Sequence, residues 1–180
     1  MNRGHRLLTV SAASLILLIS FVLFLSVDAV TVRLPRLEDS LFDAVRVTEG
    51  DEMQLRYRHS VEKTLVEGIF TIGPGPALRA RETRMTSVGT GLPNTRVDKT
   101  RREGQWLVVD EGLTRIPGFD FFIASVNATR LVVNGTAVAV ETLASGSVVR
   151  IDVERIRLLE WLLWRYGNKD WGKDRNNGQG

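Results

Sequence analysis

The sequence contains no cysteine, which excludes a disulfide scaffold and any metal held by thiolates. It also removes the residue on which a bacterial lipoprotein is lipidated. Histidine is nearly as scarce, with only His5 and His59, too few for a zinc site that needs three or four ligands. The formal net charge is only +3, too small to argue for nucleic acid. There is no internal repeat, no low-complexity tract and no G-x-S-x-G nucleophile elbow. One long hydrophobic run is present, residues 7–27, with 16 apolar side chains in 21 positions. No second run approaches the ~20 residues needed to span a bilayer, so a polytopic membrane protein is excluded. Outside that run the apolar share is about 38%, ordinary for a soluble domain and enough for a core.

Arg3 and Arg6 precede the apolar run, and Asp28 is the first acidic residue after it. Basic residues ahead of a spanning helix stay on the cytoplasmic side. Residues 1–29 therefore read as a single-pass segment in the inner membrane, with the bulk of the chain in the periplasm. Val27-Asp28-Ala29 loosely fits a signal-peptidase site, so cleavage after Ala29 is the alternative. The run is longer than a usual signal-peptide core, which favours an uncleaved anchor.

Residues 30–40, with Pro35 and mixed charges, read as a linker. From 41 to 151 short strands alternate with turns, the pattern of an all-β domain, a small sandwich or barrel. Met53, Leu55 and Tyr57 alternate with Gln54, Arg56 and Arg58, which predicts a strand with one buried face. Gly73-Pro74-Gly75-Pro76 forces a turn. The clearest hairpin is Leu131-Val132-Val133 and Thr136 to Val140 around Asn134-Gly135, a pair suited to a type I′ turn. Residues 152–167 predict an amphipathic helix capped by Asp152 and stopped by Gly167, and 168–180 a disordered tail. Trp161 and Trp164 on its broad apolar side, with Arg155, Arg157 and Arg165 at the margin, suit a membrane interface or a partner groove. A helix covering an open end of the β-domain accounts for the same pattern.

The densest polar segment is Tyr57-Arg58-His59-Ser60-Val61-Glu62, followed by Glu67. His59 and Ser60 are neighbours, and neighbours in a strand point to opposite faces, so they form no nucleophile–base pair. Glu62 and Glu67 are a candidate carboxylate pair for a hydrolase, which depends on their separation. His59, on the parity of Met53 and Leu55, also suits a half-buried structural role with hydrogen-bonded nitrogens. Ser87-Val88-Gly89-Thr90-Gly91-Leu92-Pro93 reads as a tight loop, either an anion nest of backbone amides or a plain corner. It lacks the Lys-Ser/Thr of a phosphate loop.

The ordered blocks Arg56-Tyr57-Arg58-His59-Ser60-Val61-Glu62, Glu67, Glu82-Thr83 and Gly89-Thr90-Gly91-Leu92-Pro93 resemble the domain-of-unknown-function family 1850. Thr90 stands where that family usually has Ala. The resemblance implies a small accessory protein found beside TAXI-type TRAP transporters, which import organic solutes, touching the transporter's membrane subunit or its solute-binding protein. It implies no reaction, no catalytic residue and no cofactor. The expected contact surface comprises Tyr57, His59, Ser60, Glu62, Glu67, Gly89, Gly91, Leu92 and Pro93, with Trp161 and Trp164 on the membrane or a partner. The competing expectation is a periplasmic hydrolase using Glu62 and Glu67.

Overall fold

Alternating apolar and polar residues organise the chain into strands. The computed structural model describes residues 24–61, 63–87 and 97–167. Among these residues the strands are β1 (Ser26–Leu34), β2 (Ser40–Arg46), β3 (Glu52–Arg58), β4 (Leu65–Gly73), β5 (Ala77–Met85) and β6 (Thr100–Glu103). They continue as β7 (Trp106–Ile116), β8 (Phe119–Phe122), β9 (Arg130–Val133), β10 (Thr136–Val138) and β11 (Val148–Arg157), before helix α1 (Leu158–Gly167). One sheet has the order β2-β1-β11-β8, and the other β10-β9-β3-β4-β5-β7-β6.

The two sheets share one buried cluster, to which β1 brings Val30, Val32 and Leu34, β11 brings Val149, Ile151 and Val153, and β3 and β9 bring Met53, Leu55, Leu131 and Val133. Aromatic rings join the sheets across it: Tyr57 meets Phe121 edge-on at 5.1 Å, and Phe70 stacks on Phe119 at 5.7 Å. The architecture is all-β and sandwich-like, with one short C-terminal helix. By internal contact the described residues divide into Asp28–Glu154 and a second unit that includes residues 24–27 and 155–167.

Asn134 and Gly135 have φ of 46° and 74° between β9 and β10, as the type I′ expectation requires. The turn over residues 74–76 also falls where the glycines and prolines demand it. Residues 30–40, read as a linker, are instead the second half of β1, a turn and the start of β2. The period-2 series Val30, Val32, Leu34 outweighs Pro35, which lies just past the strand. The helix expected from Asp152 begins only at Leu158, because Val149, Ile151 and Val153 alternate as strand residues in β11. Asp152 is no helix cap. Its Oδ1 accepts the Val153 N–H within the strand, at 2.7 Å.

Arg33 of β1 donates three hydrogen bonds to the Glu154 carboxylate of β11, at 2.8, 3.2 and 3.3 Å, fastening the two neighbouring strands. The expected membrane anchor lies outside the described residues up to position 23, and the tail 168–180 lies wholly outside them. Among the described residues no helix is long and apolar enough to cross a membrane.

Candidate functional site

In β3 the alternation sends Met53 and Leu55 into the core and leaves Gln54, Arg56 and Arg58 on the outer face of the seven-stranded sheet. Directly opposed residues in an antiparallel pair share a face. The register therefore sets a continuous outer row across the sheet. Arg130 of β9 stands opposite Arg56 of β3, which stands opposite Glu67 of β4. The row runs on through Arg84 of β5 and Val108 of β7 to Arg101 of β6. A second row passes through Val132, Gln54, Ile69, Glu82 and Asp110.

Charge is paired tightly along most of this face. Glu67 is only 6% exposed, and its Oε1 accepts from Arg56 Nη2 at 2.8 Å and Nε at 3.2 Å. Glu82 accepts from Arg84 on Oε2 and from Arg101 on Oε1, each guanidinium within 2.9 Å. The Arg101 hydrogen bond, with that of Arg84, holds the Glu82 carboxyl below its ordinary range against the cost of its partial burial. Arg101 also reaches Glu103 at 2.7 Å, and these carboxylates push its own pKa up. Arg81, the extra residue at a bulge in β5, pairs with Glu52 at 2.6 Å. Ile69 and Val108 lie among these charges and are 3% and 0% exposed. The face is thus a charged lattice around a dry apolar floor.

At the β9–β3 side the outer face forms an open concavity of about 300 Å³, lined by Gln54, Arg56, Glu67, Arg130 and Val132. Of these, the sequence reading picked out only Glu67 as a contact residue. Arg130 is distant in sequence from the 56–67 block, and only the pairing of β9 with β3 brings it to Arg56.

The other expected contact residues are placed as follows. Tyr57 points to the opposite face from Glu67, against Phe121 and the satellite cluster of Val66, Met85 and Val109. Burial pushes its phenol pKa up. His59 is half-buried in the β3–β4 loop, where its N–H donates to the Thr64 carbonyl and its carbonyl accepts from Lys63 N–H. Ser60 is exposed, and its carbonyl accepts from Lys63 Nζ at 2.7 Å. Val61 beside it is 73% exposed. The chain leaves β5 next to the start of β4, with Thr86 N–H donating to the Leu65 carbonyl and Leu65 N–H to Thr86 Oγ1. The connection toward β6 thus departs from the same sheet end as the His59 loop. Glu62, Gly89, Gly91, Leu92 and Pro93 lie outside the described residues.

In α1 the Arg165 guanidinium lies over the Trp161 ring at 5.1 Å, while Leu163 and Tyr166 are 65% and 63% exposed. Trp164 is half-buried, with its indole N–H enclosed and without a partner among the described residues. Among the described residues no group of three or more His, Cys, Asp or Glu is placed to hold a metal ion.

Compared with known proteins, residues 53–140 match the family model described as a domain of unknown function, DUF1850. No curated protein and no solved structure matches the chain.

Proposed function

Since residues 53–140 belong to the DUF1850 family, we propose that this chain is a non-catalytic interaction module, an accessory of a TAXI-type TRAP solute transporter. In this reading residues 7–27 anchor it in the inner membrane and the β-sandwich stands in the periplasm. The observation that carries the non-catalytic part is the fixation of Glu67. A hydrolytic carboxylate must exchange protons or attack a substrate. The Oε1 of Glu67 is instead committed to Arg56 by two hydrogen bonds, and the side chain is nearly buried.

The membrane part is supported by the uncharged N-terminal run and by α1. There the exposed Leu163 and Tyr166 stand beside a tryptophan stacked under an arginine, a composition suited to the lipid–water boundary. The His59 loop, with exposed Ser60 and Val61, supplies the contact surface for the transporter.

The test is recovery of the complex. Full-length chain, purified from detergent-solubilised membranes, is expected to bring down the transporter's membrane subunit or its solute-binding protein. His59→Ala combined with Glu62→Ala is expected to reduce that recovery and solute uptake while leaving the melting temperature unchanged. Recovery of neither partner, with uptake unaffected by deletion of the chain, overturns the reading.

A further inference from the structure

We propose that the concavity at Arg56 and Arg130 binds the carboxylate of a small organic acid. The inference rests on charge accounting and is independent of the transporter reading. Elsewhere on the outer face Arg81 has Glu52, Arg84 has Glu82, and Arg101 has Glu82 and Glu103, while Arg79, opposite Arg115, donates to the Leu113 carbonyl away from this concavity. On the β9–β3 side the accounting fails. Arg130 and Arg56 are directly opposed across two strands, a placement in which like charges repel. Glu67 takes the Nε–Nη2 edge of Arg56, which fixes that guanidinium. Among the described residues nothing pairs with Arg130. Arg58, two positions along the same face of β3, is bonded only to the Lys63 carbonyl, at 3.2 Å. The concavity is thus lined by two arginines and one carboxylate, and that carboxylate is already bonded to Arg56.

The chemistry of the gap selects the ligand. Two arginines side by side present forked N–H donors that match the planar, two-oxygen geometry of a carboxylate. Glu67 orients Arg56 without spending its Nη1, so that this group and the whole fork of Arg130 remain for the ligand. Val132 gives the floor an apolar patch for a short carbon chain, and Gln54 adds a polar side chain beside it. A volume of about 300 Å³ is at the small end of the range for ligand sites. That suits an organic acid of a few carbons and not a nucleotide.

The test is titration of the full-length chain in detergent at low ionic strength with acetate, succinate, citrate and inorganic phosphate. Melting temperature and binding heat are the readouts. Succinate or citrate is expected to raise the melting temperature and to bind at least tenfold more tightly than phosphate. Arg130→Gln is expected to weaken carboxylate binding tenfold or more while keeping the unliganded melting temperature, since the side chain is exposed and has no partner among the described residues. Arg130→Lys is expected to fall between the two, because it keeps the charge and loses the fork. Arg102→Gln, an exposed arginine of β6 outside the concavity, is expected to change nothing. No binding of any carboxylate overturns the proposal. So does equal binding by Arg130→Gln, or phosphate binding as tight as that of the carboxylates.

Discussion

Arg56 and Glu67 face each other on adjacent strands, and the acid is the buried partner: the Glu67 side chain is 8% exposed and that of Arg56 46%. The asymmetry decides which deletion costs more. Arg56→Ala strands a carboxylate away from water, whereas Glu67→Ala leaves an arginine that water can still reach. Denaturant unfolding is expected to show Arg56→Ala destabilising by about 1–3 kcal/mol and Glu67→Ala by less. The double variant should lose less than the sum. The reverse order would mean that the pair is not what holds Glu67 in place.

Glu82 gives the face a pH signature. Its carboxyl is held below the ordinary value of 4.5 by Arg101 and Arg84. A carboxyl with a depressed folded-state pKa adds stability that is complete above its unfolded value. That stability is lost as the pH falls through the folded value. Melting temperatures followed from neutral pH to below 4.5 are expected to fall less steeply for Glu82→Gln than for the natural chain. An identical acid limb in both would show that Glu82 contributes nothing to acid lability.

Gly118 has no room for a side chain. A Cβ built there would fall on the Asp152 carboxylate of β11, with the Asp152 Cβ 2.7 Å away. Gly118→Ala is expected to destabilise by about 1–3 kcal/mol, as overpacking does. Asp152→Ala in the same chain should recover part of the loss, since it removes the carboxylate but not its Cβ. Equilibrium unfolding of the single and double variants reads both effects.

The end of the sandwich is set by β11 and not by the helix. A fragment of residues 26–157 is expected to melt cooperatively. A fragment of residues 26–151 cuts β11 and loses Val153 from the core and Glu154 from Arg33, and is expected to show no cooperative transition. Calorimetry on the two fragments is the check. Equal melting would show that the second half of β11 is dispensable.

Local chemistry made part of this structure legible. The two positive-φ residues Asn134 and Gly135 announced their turn, and the alternation from Met53 to Arg58 announced β3 with its correct faces. Two edges of the domain were misread because a strong local signal hid a weaker periodic one. Pro35 suggested a linker over Val30 and Val32, and Asp152 suggested a helix cap inside β11. Glu67 was visible as a candidate because it lies close to His59 in the chain. Its partnership with Arg56 depends on the register of the β3–β4 hairpin, and the placing of Arg56 opposite Arg130 on register between strands distant in the chain. No spacing in the sequence encodes that register.

The pairing of β1 with β11 has a consequence for the order of events in folding. Among the described residues the first strand made is a neighbour of the last, and their ion pair joins residues 121 positions apart. A chain emerging from its N-terminus must therefore hold β1 without that partner until almost all of the domain has followed. The seven-stranded sheet contains neither strand, so it has all its own pairings once β10 has emerged. Closure of the sandwich is a late, long-range step, on the order of milliseconds to seconds for all-β topologies of high contact order. Until then the apolar side of β1, with Val30 and Val32, stays without β11 beside it. In that interval β1 and β8, the two strands that flank the place of β11, are open to wrong pairing with another chain.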